Sequence, residues 1–343
     1  MTAAPATKLT VLVGIRLPEA LRQRIAAVDP RLDVIDASEG WRADFARRRP
    51  LNPQEERALE LFNEQLERAD IYFNLGPPDH LLARAPRLKW VHLAATGIDQ
   101  LLGTPLLDSP LLITYSRGVN APQVAEAAMG LIFMLASGAR RLVEQQQRHE
   151  WRTFTRVVLH GKTLAVVGMG HIGGRVARMA RAASMRVIGM RRSATERTAG
   201  DEVADVIFPP SQLREMLAQA DVVLIAAPLT PETQGMIGRE ELAALKPTAF
   251  LVNIARGQLV DEQALIDALT AGRLAGAGLD VFTTEPLPAD SPLWDLPNVI
   301  ISPHIAGRTD VSEEQSVDFF IGNLRRFLEG RELLNRVDRS RYY

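Results

Sequence analysis

The chain has 343 residues, with 40 Lys and Arg against 41 Asp and Glu, 46% apolar content and no cysteine. That length can hold two domains with cores of their own. The balanced charge gives no global attraction to nucleic acid or an anionic membrane, and the missing thiols exclude disulfides, thiolate metal sites and cysteine nucleophiles.

The opening MTAAPATKLTVLVG has no basic segment leading into a long apolar stretch, so it does not read as a signal peptide. No apolar run approaches the roughly 18 residues that span a bilayer. A cytoplasmic protein is expected, without nucleic-acid or membrane partners. Lys8 to Leu17 and Leu32 to Asp36 read as buried strands with a short helix, Pro18 to Val28, between them. Asn52-Pro53-Gln54-Glu55 is a helix start, with Asn as cap, Pro in the first turn and Glu at the reciprocal position. Ala58, Leu59, Phe62 and Leu66 give that helix an apolar face. Ile71 to Leu75, Leu88 to Leu93 and Leu111 to Tyr115 complete five strands alternating with helices. Alternation of this kind predicts a small α/β domain with a parallel sheet.

A long helix is expected over Asn120 to Gln147, capped by Asn120, with Val124, Ala128, Leu131, Ile132 and Leu135 on one face and Trp151 just beyond. Its length suits a bridge between domains or a dimer interface. The apolar run Leu164 to Val167 then meets Gly168-x-Gly170-x-x-Gly173, a helical pattern, and a second run, Arg186 to Met190. This is a βαβ unit with glycines where a dinucleotide needs them: one for the tight turn, one for close approach of the pyrophosphate, one for helix–strand packing. The pyrophosphate would sit on the helix N-terminus. Further runs at Val203 to Ile207, Asp221 to Ala226, Ala249 to Ile254, Ala277 to Phe282 and Val299 to Ser302 bring the second domain to seven strands. A last amphipathic helix, Asp310 to Leu328, is expected to return to the first domain, leaving a cleft at a two-crossing hinge.

An NAD-binding unit ordinarily ends its second strand with an acidic residue for the ribose 2′-hydroxyl. Arg191, Arg192 and Ser193 stand there instead. Two cations and a hydroxyl suit a 2′-phosphate, so NADP(H) is the expected cofactor, with NAD(H) the alternative.

Three strand ends in the second half carry reactive residues: Arg256 in Asn253-Ile254-Ala255-Arg256-Gly257, Asp280 and Glu285 after Leu279, and His304 in Ser302-Pro303-His304. Ligands of open α/β sheets bind beyond such ends. Arg256 would hold a substrate carboxylate by a forked pair and polarise the neighbouring ketone. His304 would exchange a proton with the substrate oxygen. Glu285 would bond the other ring nitrogen, fix the tautomer and favour the protonated ring. A G-x-S-x-G elbow is missing, which counts against a hydrolase, and the six histidines show no H-E-x-x-H cluster, so no metal site is expected.

The sequence resembles the D-isomer-specific 2-hydroxyacid dehydrogenases, the glyoxylate and hydroxypyruvate reductases among them. The resemblance rests on Ala95-Thr96-Gly97-Ile98-Asp99, Gly118-Val119-Asn120 with Val124-Ala125-Glu126, Gly168 to Gly173 and Pro228-Leu229-Thr230-Pro231-Glu232-Thr233. It continues through Asn253 to Gly257, Asp280 to Pro286, Pro303-His304-Ile305-Ala306-Gly307 and Asn335-Arg336-Val337-Asp338. Residues 37–68 match nothing in it. It implies a Rossmann cofactor domain over 118–307 and a smaller flavodoxin-like α/β substrate domain over 1–117 and 308–343, with the cleft between them. Arg256, Glu285 and His304 become the catalytic set, and Thr96, Gly97 and Ile98 the loop that takes the substrate carboxylate. The cofactor would be held by Gly168, Gly170, His171, Ile172, Gly173, Arg191, Arg192, Ser193, Pro228, Thr233, Ile254, Ala255, Asp280, His304 and Gly307, with Asp280 on the nicotinamide carboxamide. A homodimer through the cofactor domain is implied, with Trp151 either in its interface or reaching the partner's site. The expected reaction is reduction of a small 2-keto acid to the D-2-hydroxy acid. The chain's ending at 343 speaks against the longer phosphoglycerate dehydrogenases, and Glu beside the histidine against formate dehydrogenase. Two alternatives use the same scaffold: a dinucleotide-sensing corepressor-like protein, and an NAD-dependent phosphite dehydrogenase.

Overall fold

The computed structural model describes residues 8–47 and 49–340. The chain divides into two compact units, Met1–Asn120 with Asp310–Tyr343, and Ala121–Thr309. Most of the expectation that the N-terminus carries no signal peptide, and the outermost ends of the expected first domain, fall on residues outside the described ones.

The first unit runs β1 (Leu9–Val13), α1 (Glu19–Ala26), β2 (Leu32–Asp36), α2 (Ser38–Ala46), α3 (Pro53–Arg68), β3 (Ile71–Asn74), α4 (Leu81–Arg84), β4 (Trp90–Leu93), α5 (Pro105–Asp108) and β5 (Leu112–Tyr115). Its strands form one parallel sheet ordered β2-β1-β3-β4-β5, the doubly wound order of flavodoxin-like sheets. The start of α3 is as read from sequence. Asn52 accepts from the Gln54 and Glu55 N–H groups, and the Glu55 carboxylate accepts from the Asn52 N–H. Helix α2 was not expected. Its Gly40 lets it lie on α3 so closely that a Cβ there would stand 2.5 Å from Phe62 Cβ, a packing reason that local propensity does not carry.

The second unit opens with α6 (Ala121–Ser137) and α7 (Ala139–Gln147). It continues β6 (Thr163–Val167), α8 (His171–Ala182), β7 (Arg186–Met190), β8 (Thr198–Ala199), β9 (Val206–Phe208), α9 (Leu213–Leu217) and β10 (Val222–Ile225). Then come α10 (Arg239–Ala243), β11 (Phe250–Asn253), α11 (Glu262–Thr270), β12 (Gly276–Leu279) and β13 (Val299–Ile301). The sheet order is β13-β12-β11-β10-β6-β7-β9-β8, parallel apart from the short antiparallel β8 at the edge. Chain direction across the sheet reverses between β6 and β10, and the glycine-rich turn follows β6 at that switch point. Two apolar clusters cover the two faces, one around Ile188, Phe208 and Leu251, the other around Ile132, Val166 and Val252.

Three expectations for this unit are corrected. The single helix over Asn120 to Gln147 is two helices bent by 63°. Gly138 adopts φ 68° between them, and the Phe154 ring lies 2.8 Å from where a Cβ would be, so the chain must turn there. Asn120 does not cap α6, because its Oδ1 has no hydrogen-bond partner among the described residues. The sheet has eight strands instead of seven, since β8 is a two-residue, fully exposed edge with no apolar signal. No single helix among the described residues is long and apolar enough to cross a membrane.

After Thr309 the chain rejoins the first unit as α12 (Ser312–Leu328). Phe320 stacks on Phe73 at 4.2 Å and on Trp90 at 5.2 Å, between ring centroids. Buried Asn323 then ties down the tail, accepting from the Leu334 N–H and donating to its carbonyl. Within this core His92 is fully buried, bonded to Thr114 Oγ1 at 2.7 Å and Ser116 Oγ at 3.3 Å. Burial pushes its pKa down to about 3. The unfolded chain therefore takes up this proton near pH 6.5 and the folded one does not. The contribution is complete above that pH and is lost as pH falls toward 3, at about 1.4 kcal/mol per unit. Between pH 6.5 and 5, denaturant unfolding should show a loss of about 2 kcal/mol that His92→Gln lacks. Equal pH slopes in the two proteins would contradict this.

Candidate active site

The three glycines of the first βα turn behave differently. Gly168 has φ 102°, and a Cβ there would lie 2.7 Å from the Ala227 nitrogen. A Cβ on Gly173 would stand 2.1 Å from the Gly168 carbonyl oxygen, so α8 can approach β6 only without one. A Cβ on Gly170 would meet nothing within 4 Å. That space lies in front of the α8 N-terminus, where no side chain caps the helix and the amides of His171, Ile172 and Gly173 stand in the first turn. Unpartnered amides, the helix dipole and open space form a cradle for a pyrophosphate.

Arg191 follows β7 and is half-buried, while Arg192 and Ser193 are exposed. The Arg191 guanidinium forms an ion pair with Asp201, and its backbone N–H donates to the Phe208 carbonyl at 3.3 Å. Beyond β10, the Thr233 hydroxyl donates to the Pro228 carbonyl at 2.7 Å and accepts from the Thr230 N–H at 2.8 Å. These bonds close the 228–233 loop. Glu232 in that loop is held below the usual carboxylate range by the Thr230 hydroxyl first, with its own amide and the Arg192 charge adding to the effect.

At the next strand end Asn253 shapes the turn. Its Nδ2 donates to the Arg256 carbonyl at 2.9 Å, and its Oδ1 accepts from the Ala255 N–H at 3.1 Å. Ile254 is buried in the turn. Gly257 presses against the segment after β12, since a Cβ would stand 1.9 Å from the Phe282 carbonyl carbon. Arg256 is thereby fixed at both ends, half-buried, with Nη1 donating to the Ala255 carbonyl at 2.7 Å.

Asp280 lies just past β12, not within the strand, and is 1% exposed. Oδ1 accepts from the Ser302 hydroxyl and the Ile305 N–H, and Oδ2 accepts from the Ala306 N–H at 3.1 Å. Its backbone carbonyl accepts from the His304 N–H at 2.8 Å. These bonds hold the 302–306 segment, including His304 at φ 54°, a conformation non-glycine residues rarely adopt. Both Asp280 oxygens are thus engaged within the protein; Oδ1 accepts two hydrogen bonds, and Oδ2 keeps one lone pair for a further donor. Glu285 accepts from the Phe282 N–H at 2.9 Å through Oε1 and meets His304 Nδ1 at 2.6 Å through Oε2. That bond takes up Nδ1 and leaves Nε2 as the ring nitrogen able to exchange a proton. The half-exposed His304 is open to solvent for such an exchange.

In the first unit Thr96, Gly97 and Ile98 follow β4. Their N–H groups donate to no acceptor among the described residues. The Ile98 side chain is buried in the core with Leu93 and Leu101. Sequence reasoning missed Asn253 and Ser302 as shaping residues, and Asp201 as the partner of Arg191. Asn closing an apolar strand and the Gly200-Asp201 dipeptide are turn signals that pointed to two of them.

Residues 129–306 match the family model described as D-isomer specific 2-hydroxyacid dehydrogenase, NAD binding domain. The glyoxylate/hydroxypyruvate reductase B of Pectobacterium carotovorum subsp. carotovorum (strain PC1) is 40% identical over 261 residues, 73% of this chain and 78% of that protein. The chain belongs to the D-isomer specific 2-hydroxyacid dehydrogenase family. It is an oxidoreductase of that family, with a Rossmann domain for a nicotinamide dinucleotide. D-3-phosphoglycerate dehydrogenase of Methanocaldococcus jannaschii is 32% identical over 252 residues, which cover 73% of this chain but only 47% of that protein. A crystal structure of an NADPH-dependent glyoxylate/hydroxypyruvate reductase from Sinorhizobium meliloti, in complex with NADP and sulfate, superposes with a TM-score of 0.79 at 26% identity. It covers 98% of this chain and 100% of that one.

Proposed function

We propose that this 2-hydroxyacid dehydrogenase reduces a small 2-keto acid of the glyoxylate or hydroxypyruvate kind to the D-2-hydroxy acid, with NADPH preferred over NADH. The observation carrying the reaction is the His304–Glu285 pair at 2.6 Å, set beside Arg256 at neighbouring strand ends. Relatives named as glyoxylate/hydroxypyruvate reductases support the substrate class.

Gly168, Gly170 and Gly173 with the amides of His171 and Ile172 hold the pyrophosphate, and Arg191, Arg192 and Ser193 take the 2′-phosphate. Pro228, Thr233, Ile254, Ala255 and Gly307 line the dinucleotide, and Asp280 offers the remaining lone pair of Oδ2 to the carboxamide. Reduced nicotinamide, when bound, supplies the hydride. Arg256 binds the substrate carboxylate and polarises its ketone through a charged fork that lysine lacks. His304 delivers the proton from Nε2 to the substrate oxygen, and Glu285, bonded to Nδ1, fixes its orientation and tautomer. In the reverse direction the same nitrogen takes the proton back.

The cofactor choice is tested by steady-state kinetics with hydroxypyruvate and each dinucleotide. Arg191→Gln should raise the KM for NADPH by about tenfold or more, one charge-assisted contact, and leave that for NADH unchanged. Equal KM values for the two dinucleotides in the unsubstituted enzyme would contradict the preference. Phe133, Leu142, Val143, Val157, Val158 and the 97% exposed Trp151 leave an apolar surface on the second unit. That surface supports a homodimer through this unit, and a monomer by light scattering would refute it.

A further inference from the structure

We propose that Asp201 is a specificity-determining residue: its carboxylate competes with the dinucleotide 2′-phosphate for Arg191 and so limits the margin of NADPH over NADH. This rests on the proposed reading of Arg191 as the 2′-phosphate ligand, and it adds a residue that binds neither substrate nor dinucleotide.

The competition follows from how Asp201 is held. It stands in the turn joining β8 to β9, closed by bonds from the Gly200 N–H to the Asp205 carbonyl at 3.0 Å and from the Asp201 N–H to the Ala204 carbonyl at 2.9 Å. A Cβ on Gly200 would lie 1.7 Å from the Ala204 oxygen, so the turn has no room to open around a larger residue. Within it Asp201 Oδ1 accepts from the Val203 and Ala204 N–H groups at 2.9 and 3.1 Å. The carboxylate is therefore pinned by one oxygen, and the other is aimed at Arg191. The Val203 amide, ahead of every other influence, keeps the group below the usual carboxylate range, so it stays charged at neutral pH.

A pinned anion beside a ligand-binding cation has opposite consequences for the two dinucleotides. The 2′-hydroxyl of NADH brings no charge, and Asp201 is indifferent to it. The 2′-phosphate of NADPH must share the guanidinium with a carboxylate that cannot swing away. Arg191 has five N–H donors, so sharing is possible, but like-charge repulsion weakens it. Two neighbouring arginines interact with acids of their own. Arg197 lies over the Phe208 ring at 4.6 Å and pairs with Glu215 at 2.7 Å, and Arg192 acts on Glu232. Both side chains of the Arg191–Asp201 pair are more than a third exposed, so the pair adds little to folding stability, and its effect is expected in ligand choice.

Asp201→Asn separates the charge from the turn, because the amide oxygen still accepts from the Val203 and Ala204 N–H groups. Dissociation constants for NADPH and NADH are measured by quenching of tryptophan fluorescence, without substrate, in the unsubstituted enzyme, Asp201→Asn and Arg191→Gln. Asp201→Asn should tighten NADPH by about two- to fivefold, the size of one exposed ion pair, and leave NADH unchanged. An NADPH affinity that is unchanged or weaker overturns the inference, and so does an equal change for both dinucleotides. The Arg191→Gln arm distinguishes the two levels. Weaker NADPH binding in that variant with no gain in Asp201→Asn defeats only the role of Asp201. No change in either dinucleotide in Arg191→Gln defeats the reading of Arg191 itself, and the inference with it.

Discussion

His304→Gln should lower kcat for reduction of a 2-keto acid by about 10²- to 10⁴-fold while leaving the affinity for NADPH nearly unchanged. Glutamine keeps the size and one donor of the ring but cannot release a proton to the substrate oxygen. The cofactor cradle is built by β6 and α8, whose glycines and helix amides this substitution does not touch. A loss confined to KM would mean that His304 binds substrate without moving a proton. Glu285→Gln should give a smaller loss, because the ring keeps its position through the Asp280 bonds to the 302–306 segment. The two substitutions act on one unit, so their effects should not add.

Arg256→Gln should reduce kcat/KM by about 10²- to 10³-fold, roughly 3–4 kcal/mol of lost transition-state stabilisation. The side chain is asked to do two things, holding a carboxylate and drawing charge onto a ketone oxygen. Only a planar guanidinium presents paired donors for the first while staying charged for the second. Arg256→Lys should therefore recover little of the activity. The fold should survive both changes, because the turn is made by Asn253 and Gly257 and not by the arginine side chain. If the lysine enzyme retains more than about half of the original kcat/KM, a forked contact is not what Arg256 supplies.

The parts of the site legible in the sequence are those where one residue type answers one physical demand. Gly168 and Gly173 have steric tasks that follow from their positions in the motif, and the tight turn and the close helix–strand approach are both present. The same holds for Asn52 and Glu55, whose reciprocal bonds depend only on residues three apart. What stayed hidden depends on neighbours distant in sequence. Arg191 read as a free cation because Asp201 reaches it through a turn ten residues on, carried by a two-residue edge strand without apolar pattern. Nothing local shows that Asp280 also gathers the Ser302 hydroxyl and two amides from a loop more than twenty residues away. The long helix failed for a similar reason, since the Phe154 ring packed at Gly138 comes from beyond both helices. Helix α2 rests on a glycine contact with α3 that no periodicity records.

A reductase that places a proton and a carboxylate on fixed sides of a ketone yields one enantiomer. The most direct test is chiral chromatography of the glycerate formed from hydroxypyruvate by the purified enzyme with NADPH. The expected product is D-glycerate alone, in amount equal to the NADPH consumed. L-glycerate, a racemate, or no consumption of NADPH would contradict it.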